Sequence, residues 1–220
     1  MEHKHDGRPV IIWRNSNRGG DFMKFFNRII IIYFAVMLSV VHIAHAGTSP
    51  QTMIYKANQA LEKDPKDAKA YYNRGTAQLN LDNYEAAVSD FTRSISLEPK
   101  SADTYFNRGL AYRLEKKNSE AIQDFSKAIG LHSNNWAYYF ERCNARIVSN
   151  DFDGAIADGS EVIRLTPKEA EGYFIRGLAH YLKGDLDAGL TDAQKALEIK
   201  SWHPGALRLK AEILEKRNKA

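Results

Sequence analysis

The sequence predicts an all-α solenoid of stacked helix-turn-helix units. Two observations predict it. The first is recurrence. Tyr71-Tyr72-Asn73-Arg74-Gly75 returns as Tyr105-Phe106-Asn107-Arg108-Gly109, as Tyr139-Phe140-Glu141-Arg142-Cys143 and as Tyr173-Phe174-Ile175-Arg176-Gly177, each time after 34 residues and without insertion. A fixed period between about 20 and 50 residues marks a repeat array. The second is what each period contains. Small residues stand at the eighth position (Gly75, Gly109, Cys143, Gly177) and at the twentieth (Ala87, Ala121, Ala155, Gly189), with aliphatics at the twenty-eighth (Ile95, Ile129, Ile163, Leu197). Small residues let two helices approach closely, and one helix pair cannot bury its apolar face alone, so neighbours must stack.

Taken in order, the chain opens with residues 1–22, which hold Gly7, Pro9, Gly19 and Gly20 among scattered charges and have no helical period. They read as a disordered extension or as residues upstream of a true start at Met23. Residues 23–46 read as a secretory signal: Lys24 and Arg28, the uncharged apolar run Ile29–Val41, then Ala44-His45-Ala46 before Gly47. The run is short for a membrane span, which needs about 20 apolar residues. Cleavage after Ala46 is expected, and an uncleaved signal anchor is the rival. The array occupies 49–220. Met53–Leu61 forms a lone second helix closed by Glu62-Lys63-Asp64-Pro65. Four full units follow at 68–101, 102–135, 136–169 and 170–203. In each, a first helix (A) starts near Ala68, Ala102, Trp136 or Ala170, and a second helix (B) starts about 16 residues later. Asp82-Asn83, Asn150-Asp151 and Gly184-Asp185 mark A–B turns, and Pro99 and Pro167 stop B helices. Helix 204–218 is a lone A helix and a polar cap.

The pattern resembles the tetratricopeptide repeat family in its aromatic, glycine, alanine and, in two units, its proline. The resemblance covers about Ser49 to the end. The chain departs at the seventh position, usually Leu in the family and here Arg74, Arg108, Arg142 and Arg176. The twenty-third position is Asp90, Asp124, Asp158 and Asp192, also four times in four. A structural ion pair bridging A and B is expected, in preference to four arginines reading an acidic ligand. At the twenty-fourth position Phe91 and Phe125 give way to Gly159 and Ala193. Units three and four should therefore open more readily, with Trp136 and Trp202 supplying some of the missing bulk.

Composition and motifs narrow the function. Residues 47–220 hold 25 basic and 24 acidic side chains, so the basic footprint of a nucleic-acid binder is missing. The lone cysteine, Cys143, excludes an intrachain disulfide and a thiolate zinc site, and reads as a small buried hydrophobe. His132, His180 and His203 fall at separate places in the register. No zinc, calcium, phosphate-loop or serine-hydrolase motif is present, so no catalytic residue, metal or cofactor is expected. Asp151, Asp153, Asp185 and Asp187 read as caps at the start of B helices.

The resemblance implies that A helices line a concave groove, with ligand-facing side chains at positions two, five, nine, twelve and thirteen. In this chain those positions put Phe106 and Phe140 (five), Leu110, Asn144 and Leu178 (nine), and Arg113, Ile147 and Tyr181 (twelve) on the groove. Positions nine and twelve are the stronger candidates, since position five can pack between neighbouring A helices. A carboxylate clamp of Lys at five with Asn at nine is disfavoured, because Asn144 is accompanied by Phe140. The expected function is a non-enzymatic, exported interaction scaffold that binds a peptide or helix of a partner protein. It would be periplasmic in a Gram-negative source. The alternative is a membrane-anchored assembly factor held by an uncleaved 29–46, the only case in which a membrane would be a partner.

Overall fold

Ten helices follow one another between residues 49 and 219, the residues that the computed structural model describes. The expectations for residues 1–22 and 23–46 lie outside them. The first helix, α1 (Pro50–Lys63), is the lone B helix. The four units are α2 (Ala68–Asn80) with α3 (Tyr84–Leu97), α4 (Ala102–Leu114) with α5 (Asn118–Leu131), α6 (Trp136–Val148) with α7 (Phe152–Leu165), and α8 (Ala170–Lys183) with α9 (Leu186–Ile199). The chain closes on α10 (Pro204–Asn218), the lone A helix. Among the described residues there is no strand, and no helix is long and apolar enough to cross a membrane.

The helix boundaries have local causes. The side chains of Asp67, Ser101 and Asn135 cap A helices, and those of Asp151 and Asp185 cap B helices, each accepting a backbone N–H of the first turn. Every A–B turn passes through one left-handed residue: Asp82 (φ 59°), Lys116 (φ 64°), Asn150 (φ 60°) and Gly184 (φ 98°). There the N–H of the following residue reaches back to the last turn of helix A, as in Lys117 N to Tyr112 O at 2.8 Å. The B helices α5 and α9 stop at the same register as α3 and α7 although Ser133 and Ser201 replace proline. Proline at that place reinforces a stop that stacking already sets.

Each helix packs on the next, and each A helix also touches the A helix of the following unit, whereas no B helix touches another B helix among the described residues. The A helices therefore form the crowded, inner side of the stack. Phe91 and Phe125 are completely buried within their units, each contributing about 2–3 kcal/mol of apolar burial. The close approach at the eighth position is tight: a Cβ on Gly109 would lie 2.7 Å from the Phe125 ring. In unit three, where Gly159 replaces phenylalanine, Arg176 of the next A helix moves into the space, and a Cβ on Gly159 would lie 2.8 Å from its Cβ. Fully buried Tyr138, Ile175 and Leu178 supply bulk in this half. Trp136 packs edge-on against Phe140 at 5.9 Å. Trp202 does not contribute as expected, because it is 69% exposed and lies under Lys200 Nζ.

Candidate functional site

The recurring arginines turn inward and hold the frame. Arg108 donates from Nε and Nη2 to the two carboxylate oxygens of Asp124 at 2.7 and 2.8 Å. Arg74 with Asp90, Arg142 with Asp158 and Arg176 with Asp192 repeat the fork at 2.7–3.0 Å. This planar two-point geometry suits guanidinium and carboxylate. The structural pair is thus the correct reading. The third nitrogen does something that the sequence reading missed. Nη1 donates across the unit boundary to Asn58, Thr92, Ser126 or Ser160 on the preceding B helix. The signal was a small polar residue 16 places before every arginine. Each guanidinium therefore joins three helices and is committed to the stack rather than to a ligand.

The inner face is tied by a second set of contacts, between successive A helices. Asn107 Nδ2 donates to the Tyr72 hydroxyl at 2.9 Å, and the Tyr138 hydroxyl to Asp103 Oδ1 at 2.6 Å. Arg113 Nε lies 3.2 Å from Glu141 Oε2, with both side chains nearly buried. Burial pushes the Glu141 carboxyl upward, and the Arg113 charge opposes that. Aromatic side chains at position five also bridge units: Phe106 stacks against Tyr138 at 4.9 Å, and Phe174 against His203 at 4.9 Å.

The sequence-named groove residues divide by exposure. Leu110, Asn144, Ile147 and Leu178 are buried. The expectation that Leu110, Asn144 and Leu178 at position nine and Ile147 at position twelve face solvent therefore needs correction, because in this stack they form the floor between helices. Tyr181, Phe106 and Phe140 are half-buried and keep part of their surface open, whereas the Arg113 side chain is nearly buried against Glu141. Tyr181 lies under Lys216 Nζ, 5.3 Å from the ring centroid. Val148, at position thirteen, is the most open large apolar side chain on the A helices of the four complete units, at 41%.

Among the described residues no group of histidine, cysteine and carboxylate side chains could hold a metal. Cys143 donates to the carbonyl of Ala155, and burial, with Asp158 nearby, pushes its thiol well above the usual range. His203 was not singled out by sequence. It caps α10, accepting the Ala206 N–H at Nδ1, in the register where Ser101 and Asn135 cap earlier units.

Family models described as tetratricopeptide repeat match residues 68–101, 102–135 and 141–204, together more than half of the chain. The chain belongs to the tetratricopeptide repeat family. Solved structures share the fold. The tetratricopeptide protein YrrB, described as having an unusual peptide-binding site, is 22% identical with a TM-score of 0.69, covering 82% of this chain and 90% of its own. MamA from Desulfovibrio magneticus is 18% identical with a TM-score of 0.58, covering 69% of this chain and 96% of its own. The first tetratricopeptide domain of Spaghetti (RPAP3), bound to an HSP90 peptide, is 21% identical with a TM-score of 0.51, covering 53% of this chain and 93% of its own. No curated protein matched the sequence. At these identities the structural neighbours establish the fold of the array.

Proposed function

We propose that this array is a non-enzymatic, exported scaffold that holds a peptide or helix of a partner protein against its A face. One observation carries the reading. The A helices keep a run of partly open apolar and aromatic surface (Phe106, Phe140, Val148, Tyr181) while the charges of the frame are spent on its own cohesion. Such a run suits an apolar-anchored segment laid along a groove. The peptide-binding neighbours YrrB and the Spaghetti domain support the same mode. The near-neutral body argues against nucleic acid. Leu110, Asn144, Ile147 and Leu178 support the groove floor, and Arg113 sets its edge through Glu141. Export rests on Lys24, Arg28, the run 29–41 and Ala44-His45-Ala46.

Crosslinked purification from the native host, tagged after Ala220 and read by mass spectrometry, tests both parts. The account expects a mature N-terminus at Gly47. It also expects a protein partner that disappears with Val148→Asp and Phe140→Ala while the variants keep their helical circular dichroism. A retained 23–46 segment in salt-washed membranes would replace export by anchoring. A partner indifferent to both substitutions would remove the groove.

A further inference from the structure

The C-terminal helix shows solvent the face that every other A helix turns toward its own B helix. In the complete units that face consists of positions four, seven, eight and eleven: in unit two, Tyr105, Arg108, Gly109 and Tyr112. In α10 the same register falls on Leu207, Lys210, Ala211 and Leu214. Leu207 is 49% and Leu214 40% exposed, and no helix among the described residues covers them. The helix is thus less polar than a cap is expected to be. Its other side is used: Ala206, Leu209 and Ile213 are buried against the array. Lys216 and Arg217 are engaged by Tyr181 and Asp187.

The chain shows four times what belongs on such a face. Each B helix presents a small residue and, three places later, an aspartate: Ala87 and Asp90, Ala121 and Asp124, Ala155 and Asp158, Gly189 and Asp192. The aspartate meets the cation at position seven. In α10 that cation is Lys210, which has no acidic partner among the described residues. We infer that α10 is a second docking surface, separate from the groove, for a helix of another protein that carries a small residue followed three places later by an aspartate. Lys210 would supply the charge complement, and Leu207 and Leu214 the apolar contact. Ala211 in place of glycine calls for an occupant without a bulky ring opposite. Unit three shows the precedent, with Cys143 at that position and Gly159 where units one and two have phenylalanine.

A second copy of this chain is a poor occupant. The helix left without an A partner at the other end is α1. It carries Met53 where the small residue belongs and Lys56 where the aspartate belongs. Head-to-tail stacking would set Lys56 against Lys210, and facing like charges disfavour a contact.

The probe is a fluorescein-labelled, lactam-stapled peptide of residues 151–166, which carries Ala155, Asp158 and Gly159. Its anisotropy is titrated with the full-length chain. Saturable binding is expected. Lys210→Glu should weaken it by roughly tenfold or more, and pairing that variant with an Asp158→Lys peptide should recover most of the loss, as expected for a charge pair in contact. Leu207→Asp should abolish binding, and Val148→Asp on the groove should leave it unchanged. Three outcomes would overturn the inference: no binding to the parent chain, a Lys210→Glu loss that the swapped peptide does not recover, or a dimer in sedimentation that Leu207→Asp dissolves. The last would assign the face to a second copy. Leu207 and Leu214 are solvent-facing, so equal melting temperatures of variants and parent separate a lost contact from a lost fold.

Discussion

Arg108 sits where three helices meet, and its loss should be felt by all of them. Asp124 is 5% exposed and takes both of its strong hydrogen bonds from this guanidinium. Arg108→Ala leaves that carboxylate buried and unpaired, so a loss on the order of 3 kcal/mol is expected in chemical denaturation. Arg108→Ala with Asp124→Ala together should be milder than the single change, because the stranded charge is gone. A double variant no better than the single would show that the pair is not coupled. His203 offers a pH test. Burial lowers its pKa, and its cap needs an unprotonated Nδ1. The unfolded chain takes up the proton near the ordinary value of about 6.5, above the folded value. Its contribution is therefore complete above that pH and is lost as pH falls through it toward the folded pKa. The urea midpoint should drop between about pH 7.5 and 5.5, and His203→Asn, which retains a capping oxygen, should flatten the drop. Equal slopes in both proteins would assign the pH dependence to other groups.

At the level of elements, helix starts were readable because the 34-residue register places them: A helices begin at Ala68, Ala102, Trp136 and Ala170, and B helices 16 residues later. The Arg–Asp forks were readable as coupled recurrence. Three features were not. The left-handed turn at Lys116 carries no glycine or asparagine, so tertiary stacking imposes it. The cross-unit bonds to Asn58, Thr92, Ser126 and Ser160 hide in residues common on any helix surface. The burial of Leu110, Asn144 and Leu178 depends on how closely successive A helices approach, which a period does not specify. Two measurements address the elements. Gly109→Ala puts a methyl group into the Phe125 ring and should cost about 1–3 kcal/mol by overpacking, seen as a lower melting temperature. Helix α7 contains Gly154 and Gly159, each costing roughly 1 kcal/mol of helix propensity against alanine, and units three and four lack the paired phenylalanines. Amides of 152–200 should exchange faster than those of 68–131, and the reverse order would show that Tyr138, Ile175 and Leu178 fully replace that bulk.

For the whole array, stability and recognition use different sides of the same helices. The forks and apolar interfaces between A and B make neighbouring units cohere, as expected for a quasi-one-dimensional stack. The A face keeps open what the stack does not consume, and α10 keeps open what a further B helix would cover. Fold alone does not choose a partner, but it does choose where a partner can lie. Photo-crosslinking inside the native host tests this most directly, with benzoylphenylalanine at Val148 on the A face compared with Ser89, an exposed residue of α3 on the B side. The account predicts one discrete partner crosslinked from Val148 and not from Ser89. The same partner captured from Ser89 and absent from Val148 would contradict the groove.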